Sequence, residues 1–373
     1  MKKTKSKLTG VVVVFMATLL LAAFVQPSVG AAKKYLIGLD TKIVSNTWEM
    51  LFAKSFEWYC EDHGYKWISN EARGDPATQL TQSRQMIAMG VDGLIVCAQD
   101  ADASSPIVDW ASESNIPIFT TDADINHPGV KMYIGYSGYI AGQQLGRKLV
   151  EYLKNEVEPI GEVKGLILEM RGPLGGASAI DRSEGFHSVV DKHPNIKVIQ
   201  ALGEFQETPA KKETEALLRR NPHIDAIYSG NGPMCVGAVE AMKDLGMDPT
   251  KIFIATIDAN PGVLNRIRTG EIDVAVDQPC PFYNPIAVYY LVKYLEEGES
   301  ALPKVGEVIS AEDIDISGKE HLGTNIWAAK EAWSPARIME RAGHLWFQTS
   351  ALEITRENCD AGYLWANIEV PGW

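Results

Sequence analysis

YLIGLDTKIVSNTWEMLFAKSFEWYCEDHGYKWISNEARGDPATQLTQSRQMIAMGVDGLIVCA, residues 35–98, alternates two kinds of pattern. Three short runs rich in apolar and β-branched residues, Tyr35–Asp40, Lys66–Asn70 and Gly93–Ala98, read as strands. Between the first two, Trp48, Leu51, Phe52, Ser55, Phe56 and Tyr59 recur at the spacing of one helix face. Before the third, Asp75-Pro76 sets a capping carboxylate ahead of a proline at the first helical position. Strands that alternate with helices at this interval are parallel, because the helix is the crossover a parallel pair requires.

The rhythm continues through Pro117–Asp122 and Met132–Tyr136. A second series then follows: Gly165–Met170, Lys197–Leu202, Ala226–Ser229, Ile252–Asp258 and Ile272–Asp277. Thr208-Pro209 and Asn260-Pro261 mark two more helix starts. Two series of the same design predict an α/β protein of two lobes, each a parallel sheet covered by helices on both faces. No low-complexity linker separates them, so several close strands join the lobes rather than one tether.

Upstream, Lys2, Lys3, Lys5 and Lys7 precede an apolar run from Val11 to Val25, and small residues follow at Ser28, Val29, Gly30 and Ala31. This is the pattern of a secretory leader, residues 1–31, with cleavage after Ala31 or Gly30. An uncleaved anchor is the competing reading, because the run approaches spanning length. Removing 31 of 373 residues leaves about 340, above the size at which one core keeps growing. The chain carries 48 Asp+Glu against 35 Lys+Arg and no basic cluster outside the leader. Nucleic acid and anionic membrane surfaces are therefore not expected partners. Cys60, Cys97, Cys235, Cys280 and Cys359 are far apart and form no C-x-x-C pair, which argues against a zinc site or a disulfide framework. An oxidising compartment still permits one bridge.

After Leu302 the pattern changes. Ser310–Gly323 is acidic and polar, and Asn325–Trp373 holds Trp327, Trp333, Trp346, Trp365 and Trp373, five of the nine tryptophans. So many large aromatics are not left in water. They pack on the lobes, on another subunit or on a partner.

Ligands of open α/β sheets bind beyond the carboxyl ends of strands. The residues there are Asp40, Asn46 and Trp48 after the first strand, Asp122 and Asp124 after the fourth, and Glu169 and Arg171 after the sixth. Phe205, Asn231, Asp258 and Asp277 follow the seventh to tenth, and Arg182 lies in the helix entered through Gly172–Gly176. Carboxylates, amides, guanidinium groups and aromatics together suit carbohydrate: planar polar groups bind vicinal hydroxyls and aromatic faces cover the C–H side. Each residue also has a plain structural reading. Asp122 and Asp258 could cap helices, Trp48 could be core, Asn231 could serve turn geometry, and Arg182 could be solvated. There is no G-x-G-x-x-G after the first strand and no Walker, H-E-x-x-H or G-x-S-x-G motif. No cofactor, metal site or catalytic residue is indicated.

Eight stretches in register resemble the type I periplasmic sugar-binding proteins, near the ribose-binding group, from Tyr35 to Leu302. They are Ile37-Gly38 with Ser45-Asn46-Thr47-Trp48, Gly74–Leu80, Met89–Val96, Ile134–Gly142, Asp181–Phe186, Ile224–Asn231, Ala255–Asp258 and Ala275–Pro279. The resemblance implies two Rossmann-like lobes joined by a three-strand hinge, and a sugar or polyol trapped as the lobes close. It implies delivery to an ABC transporter permease in the periplasm, with a chemoreceptor as a further partner. The lobes would be 33–137 plus 279–302, and 138–277 plus 303–324, with 325–373 a Trp-rich extension. Carried over, the pocket is Asn46, Trp48, Glu49, Asp122, Asp124, Arg182, Phe205, Asn231, Asp258 and Asp277.

The chain departs from the ribose binders at four places in or beside this pocket. Glu49 stands in place of a second aromatic, Ala123 of an arginine, Asp277 of a glutamine, and Gly232 of the acid after Asn231. The expected site is thus more acidic than a ribose site, and a polyol, another sugar or a ligand with a cationic group fits it better. Two other classes compete: an exported enzyme acting through Asp122 or Asp258, and a sensor that uses the tail for docking.

Overall fold

The computed structural model describes residues 35–44, 47–157, 160–174 and 177–368. The expected leader, Asn46 and Trp373 lie outside the described residues. The chain runs β1 (Leu36–Thr41), α1 (Thr47–Asp62), β2 (Lys66–Glu71), α2 (Pro76–Ala88), β3 (Gly93–Val96), α3 (Ser105–Glu113), β4 (Ile118–Thr121) and β5 (Met132–Tyr136) in its first lobe. It crosses over and repeats the plan with α4 (Gly138–Glu156), β6 (Gly165–Arg171), α5 (Ala177–Val190), β7 (Ile196–Leu202), α6 (Glu207–Arg220), β8 (Ala226–Ser229), α7 (Gly232–Asp244), β9 (Phe253–Ile257), α8 (Pro261–Thr269) and β10 (Val274–Asp277). Helix α9 (Cys280–Glu297) then returns to the first lobe. All ten strands expected from the sequence form, in the orders β2-β1-β3-β4-β5 and β7-β6-β8-β9-β10.

One device starts three of these strands. Asp92, Asp225 and Asp273 each precede a strand and accept a hydrogen bond from the backbone N–H of a neighbouring strand, from Leu36 (2.8 Å), Leu166 (2.7 Å) and Ile254 (2.7 Å). Each also donates its own N–H back to the carbonyl of that same residue. The reciprocal pair fixes register at the strand entry, and register decides which side chains face the core. Helices cover both faces of each sheet. In the first lobe Phe52, Phe56, Ile286 and Leu291 pack one face while Met86, Val91, Ile107 and Val108 pack the other.

Helix starts follow their caps. Asp75 accepts from the N–H groups of Ala77 and Thr78, and Asn260 accepts from Val263. The expected start at Thr208-Pro209 is displaced: α6 begins at Glu207, with Gln206 ahead of it. Pro209 then sits inside the first turn, where no backbone N–H is needed for an intrahelical bond. All five cysteines are buried and free.

The region after Leu302 does not follow the expected boundaries. Leu302, Ile309, Ala311, Ile314 and Ile316 bury against the first lobe, so 303–324 belongs there and not to the second. The cause is the apolar spacing within that acidic stretch. Nor is 325–373 an appendage. β11 (Val308–Ile309), β12 (Ala336–Arg341) and β13 (His344–Thr349) extend the first sheet through a parallel β13–β5 pairing. β14 (Leu352–Ile354) then pairs antiparallel with β10 in the second sheet. Trp327 and Trp333 are buried in the first lobe's core. Among the described residues the chain passes between the lobes from β5 to α4, from β10 to α9 and from β13 to β14, and its last turn again touches both.

Candidate functional site

A cavity of about 1230 Å³ lies where the carboxyl ends of both sheets face each other. It exceeds the roughly 300–1,000 Å³ of ordinary small-molecule pockets, as an inter-lobe cleft does. Strand geometry explains the lining, since the residue after each parallel strand turns out into the crevice.

Asp122 follows β4 and Asp258 follows β9. Both take left-handed backbone conformations, with φ of 61° and 65°, which aspartate tolerates better than most residues. The N–H of each still bonds across to the adjacent strand, to the Ile134 carbonyl (3.0 Å) and the Val276 carbonyl (2.9 Å). Both carboxylates line the cavity.

Each has a cation from its own lobe. Lys42, one residue after β1, lies 2.9 Å from Asp122. Burial works against the Lys42 charge, but the Asp122 carboxylate beside it more than compensates and holds the ammonium above the usual lysine range. Beneath them the Cys97 thiol is pushed up to about 12 by burial, so it stays protonated. In the second lobe Arg182 donates from Nη1 to the Gly230 carbonyl (2.7 Å) and to Asp258 (3.0 Å). Burial opposes the guanidinium charge and Asp258 restores it. Gln278 donates to the other Asp258 oxygen at 2.7 Å.

Arg182 is aimed by a close helix crossing. An added Cβ at Gly142 of α4 would lie 2.2 Å from the Arg182 carbonyl oxygen, and one at Gly185 of α5 would lie 2.0 Å from the Tyr139 carbonyl oxygen. Only glycines allow the two helices this near. The Arg182 guanidinium then lies 5.7 Å from the ring centres of both Tyr136 and Phe205.

Of the ten expected residues, Trp48, Asp122, Asp124, Arg182, Phe205, Asn231 and Asp258 line the cavity. Trp48 is both wall and core, stacked on Phe52 with centroids 5.5 Å apart. Asn231 also keeps its structural duty, accepting from Met234 as the cap of α7 and donating to the Phe205 carbonyl. Asp124 is occupied by structure: it accepts from Thr120 (2.7 Å) and the Ile125 N–H (2.8 Å), and His344 Nε2 lies 3.1 Å away.

Two expected residues are off the wall. Glu49, next to Trp48 on α1, is not among the residues that line the cavity, though its charge helps hold the ammonium of Lys42, which does. Asp277 is buried, accepting from the Ala259 N–H at 3.1 Å. Burial first, and the nearby Asp258 charge second, raise its pKa to about 7. One residue on, Gln278 brings an amide to the cavity wall.

Sequence reasoning missed Lys42, Gln278, Arg341 and Trp365. Arg341 ends β12 at a two-residue turn whose Ala342 and Gly343 both have positive φ, 50° and 82°, as a tight hairpin requires. Its Nε is 3.5 Å from Asp124 and its guanidinium lies over Tyr133 and Trp346. Arginine surface thus reaches the neighbourhood of Ala123 from a distant part of the chain. Trp365 opens a short helical turn near the C-terminus. Nε1 of Trp48 and of Trp365 is buried, so both indoles show carbon to the cavity.

Residues 37–300 match the family model described as the periplasmic binding protein domain. The chain belongs to this family. Among relatives, the chain is 25% identical over 249 residues to the ribose import binding protein of Bacillus subtilis (strain 168), covering 67% of this chain and 78% of that one. It is 29% identical over 220 residues to the xylitol-binding protein of Mycolicibacterium smegmatis, covering 57% and 59%. Its fold is similar to a Bacillus halodurans ABC transporter solute binding protein with bound myo-inositol, with a TM-score of 0.67, 20% identity, and 90% and 99% of the two chains covered. In this periplasmic binding protein the family match stops at residue 300, so Arg341 and Trp365 come from beyond it.

Proposed function

We propose that the protein is the exported substrate-binding component of an ABC importer, and that it binds one sugar or polyol between lobes that close on their three connections. The reading rests chiefly on the arrangement at the cleft. Two strand-end aspartates, each held by a cation of its own lobe, face a cavity into which two indoles turn carbon. Carboxylates, amide and guanidinium groups suit hydroxyls, and the indoles suit a sugar's C–H surface. The names of the relatives, which include ribose, xylitol and galactofuranose binders, agree with it. The proposed ligand residues are Lys42, Trp48, Asp122, Arg182, Phe205, Asn231, Asp258 and Gln278, with Asn46 carried over from the family resemblance. The expected leader and the family's compartment support a periplasmic location, with a membrane permease, and a chemoreceptor as a further partner, reading the closed form.

Catalysis is not part of this reading, because Asp122 and Asp258 each already pair with a cation, which disfavours a role in passing protons. Calorimetric titration with a panel of pentoses, hexoses, pentitols and inositols tests it. Saturable one-to-one binding of at least one compound, released chemically unchanged, is expected. Failure of the whole panel to bind overturns the carbohydrate assignment, and turnover of a bound compound overturns the non-catalytic one.

A further inference from the structure

Trp365 stands 65 residues beyond the end of the family match, yet it lines the inter-lobe cavity. Its helical turn, Trp365–Asn367, contacts α1 of the first lobe and α8 of the second. These are two of the helices whose first turns face the cleft. Flanking Tyr363 and Ala366 pack against the cores of both lobes.

The turn is held firmly. Arg268 of α8 donates to Asn367 Oδ1 at 2.6 Å and to the Cys359 carbonyl at 3.2 Å. Asn367 in turn donates to the carbonyls of Cys359 and Ala361, both at 2.9 Å. A group fixed on several sides can discriminate by shape, because its neighbours prevent it from yielding. Trp365 is only 5% exposed and its Nε1 is buried, on the side of Asp277. What reaches the cavity is therefore ring carbon, in a wall that also holds the polar Asp258 and Gln278.

We propose that Trp365 is a specificity-determining residue of the inter-lobe site, an apolar stop that accepts a ring C–H of a cyclic sugar and rejects a hydroxyl at that position. The inference rests on the sugar-binding reading above and sharpens it to a choice between epimers. A hydroxyl pressed against the indole would lose its water and gain no partner, while the epimer with hydrogen there would gain contact.

The test is calorimetric titration of the parent, Trp365→Phe and Trp365→Ala with D-ribose, D-arabinose, D-xylose, D-lyxose, D-glucose, D-galactose and D-allose. The parent should prefer one member of an epimeric pair by about tenfold or more, the cost of an unpaired buried hydroxyl. Trp365→Ala should compress that ratio to within about threefold, chiefly by improving the disfavoured epimer, with Trp365→Phe between the two. A 19F spectrum of 5-fluorotryptophan-labelled protein adds a direct readout. The Trp365 resonance, identified by its absence in Trp365→Phe, should shift when the preferred sugar binds. If the alanine variant does not fold, the phenylalanine variant and the spectrum decide the matter. An unchanged epimer ratio in a folded variant, or an unmoved Trp365 resonance, overturns the inference and leaves the sugar-binding reading standing. Binding of none of these sugars by the parent overturns the inference, and the binding reading falls with it only if the pentitols and inositols fail as well.

Discussion

Asp122 and Asp258 are counterparts: each leaves the fourth strand of its lobe with φ just above 60°, and each carries a cation 2.9–3.0 Å away. Their surroundings differ. Arg182 and Asp258 side chains are 7% and 18% exposed, whereas Lys42 and Asp122 are 31% and 14% exposed. Asp258→Asn strands a guanidinium that cannot rehydrate, and should cost about 1–3 kcal/mol. Asp122→Asn leaves an ammonium that water can reach, and should cost less than about 1 kcal/mol. Urea unfolding of both variants measures the difference. Equal losses would mean that burial does not separate the two pairs.

Asp277 makes stability fall with rising pH. Its pKa is near 3.8 in the unfolded chain and raised to about 7 in the fold. Between those values the native state holds the proton and the unfolded state does not, so ∂ΔG/∂pH is negative there. The stabilisation is complete below the unfolded pKa and is lost as pH rises through the folded one. Asp277→Asn, which can still accept from Ala259, should therefore gain stability relative to the parent between pH 5 and 8. Each tenfold difference in proton affinity between the folded and unfolded chain is worth about 1.4 kcal/mol. Melting curves across that range check the slope, and parallel curves for the two proteins would refute it. Asp40, raised to about 7 by burial, contributes in the same sense and stays as background in both proteins.

Gly185→Ala should disturb structure and site together. The new methyl would meet the Tyr139 carbonyl oxygen and push α5 from α4, with a loss of about 1–3 kcal/mol. Arg182 rides on α5, so affinity for any sugar that binds should fall in the folded fraction. A variant that is destabilised but binds with unchanged affinity would show that the crossing does not set the guanidinium.

Deleting residues 325–373 should abolish a soluble fold. The deletion removes β12, β13 and β14, bares the edges of β5 and β10, and takes Trp333 and Phe347 out of the first core. Expression as a soluble, cooperatively melting protein would contradict the integration of this segment.

Much of this architecture is legible in the chain itself, for a physical reason. The ten strands of the two lobes follow short-range rules: apolar runs, Asp–strand entries and Asp-Pro or Asn-Pro caps. Site residues that follow those strands inherit their visibility, which is why Asp122, Asp258 and Asn231 can be found by position. Lys42 has no such mark, because its role depends on Asp122, 80 residues away. Asp277 and Gln278 both follow from the same strand end, and only packing decides which of them is covered. The hairpin at Arg341 left a signal in the alternation of Ala336, Arg337 and Ile338 before Ala342-Gly343, masked by the aromatic richness around it. Trp365 left none, since its neighbours lie in α1 and α8.

The closing pairs of both sheets carry a consequence for how the chain matures. β13 covers the β5 edge of one sheet and β14 the β10 edge of the other, and both lie late in the sequence. A ribosome making the chain from its N-terminus leaves β5 an open edge while about 200 further residues are added, and β10 while about 75 are. Open edges recruit strands from other chains. The nascent protein therefore stays vulnerable until its last strands emerge, and the moment of safety is set by the tail rather than by either lobe.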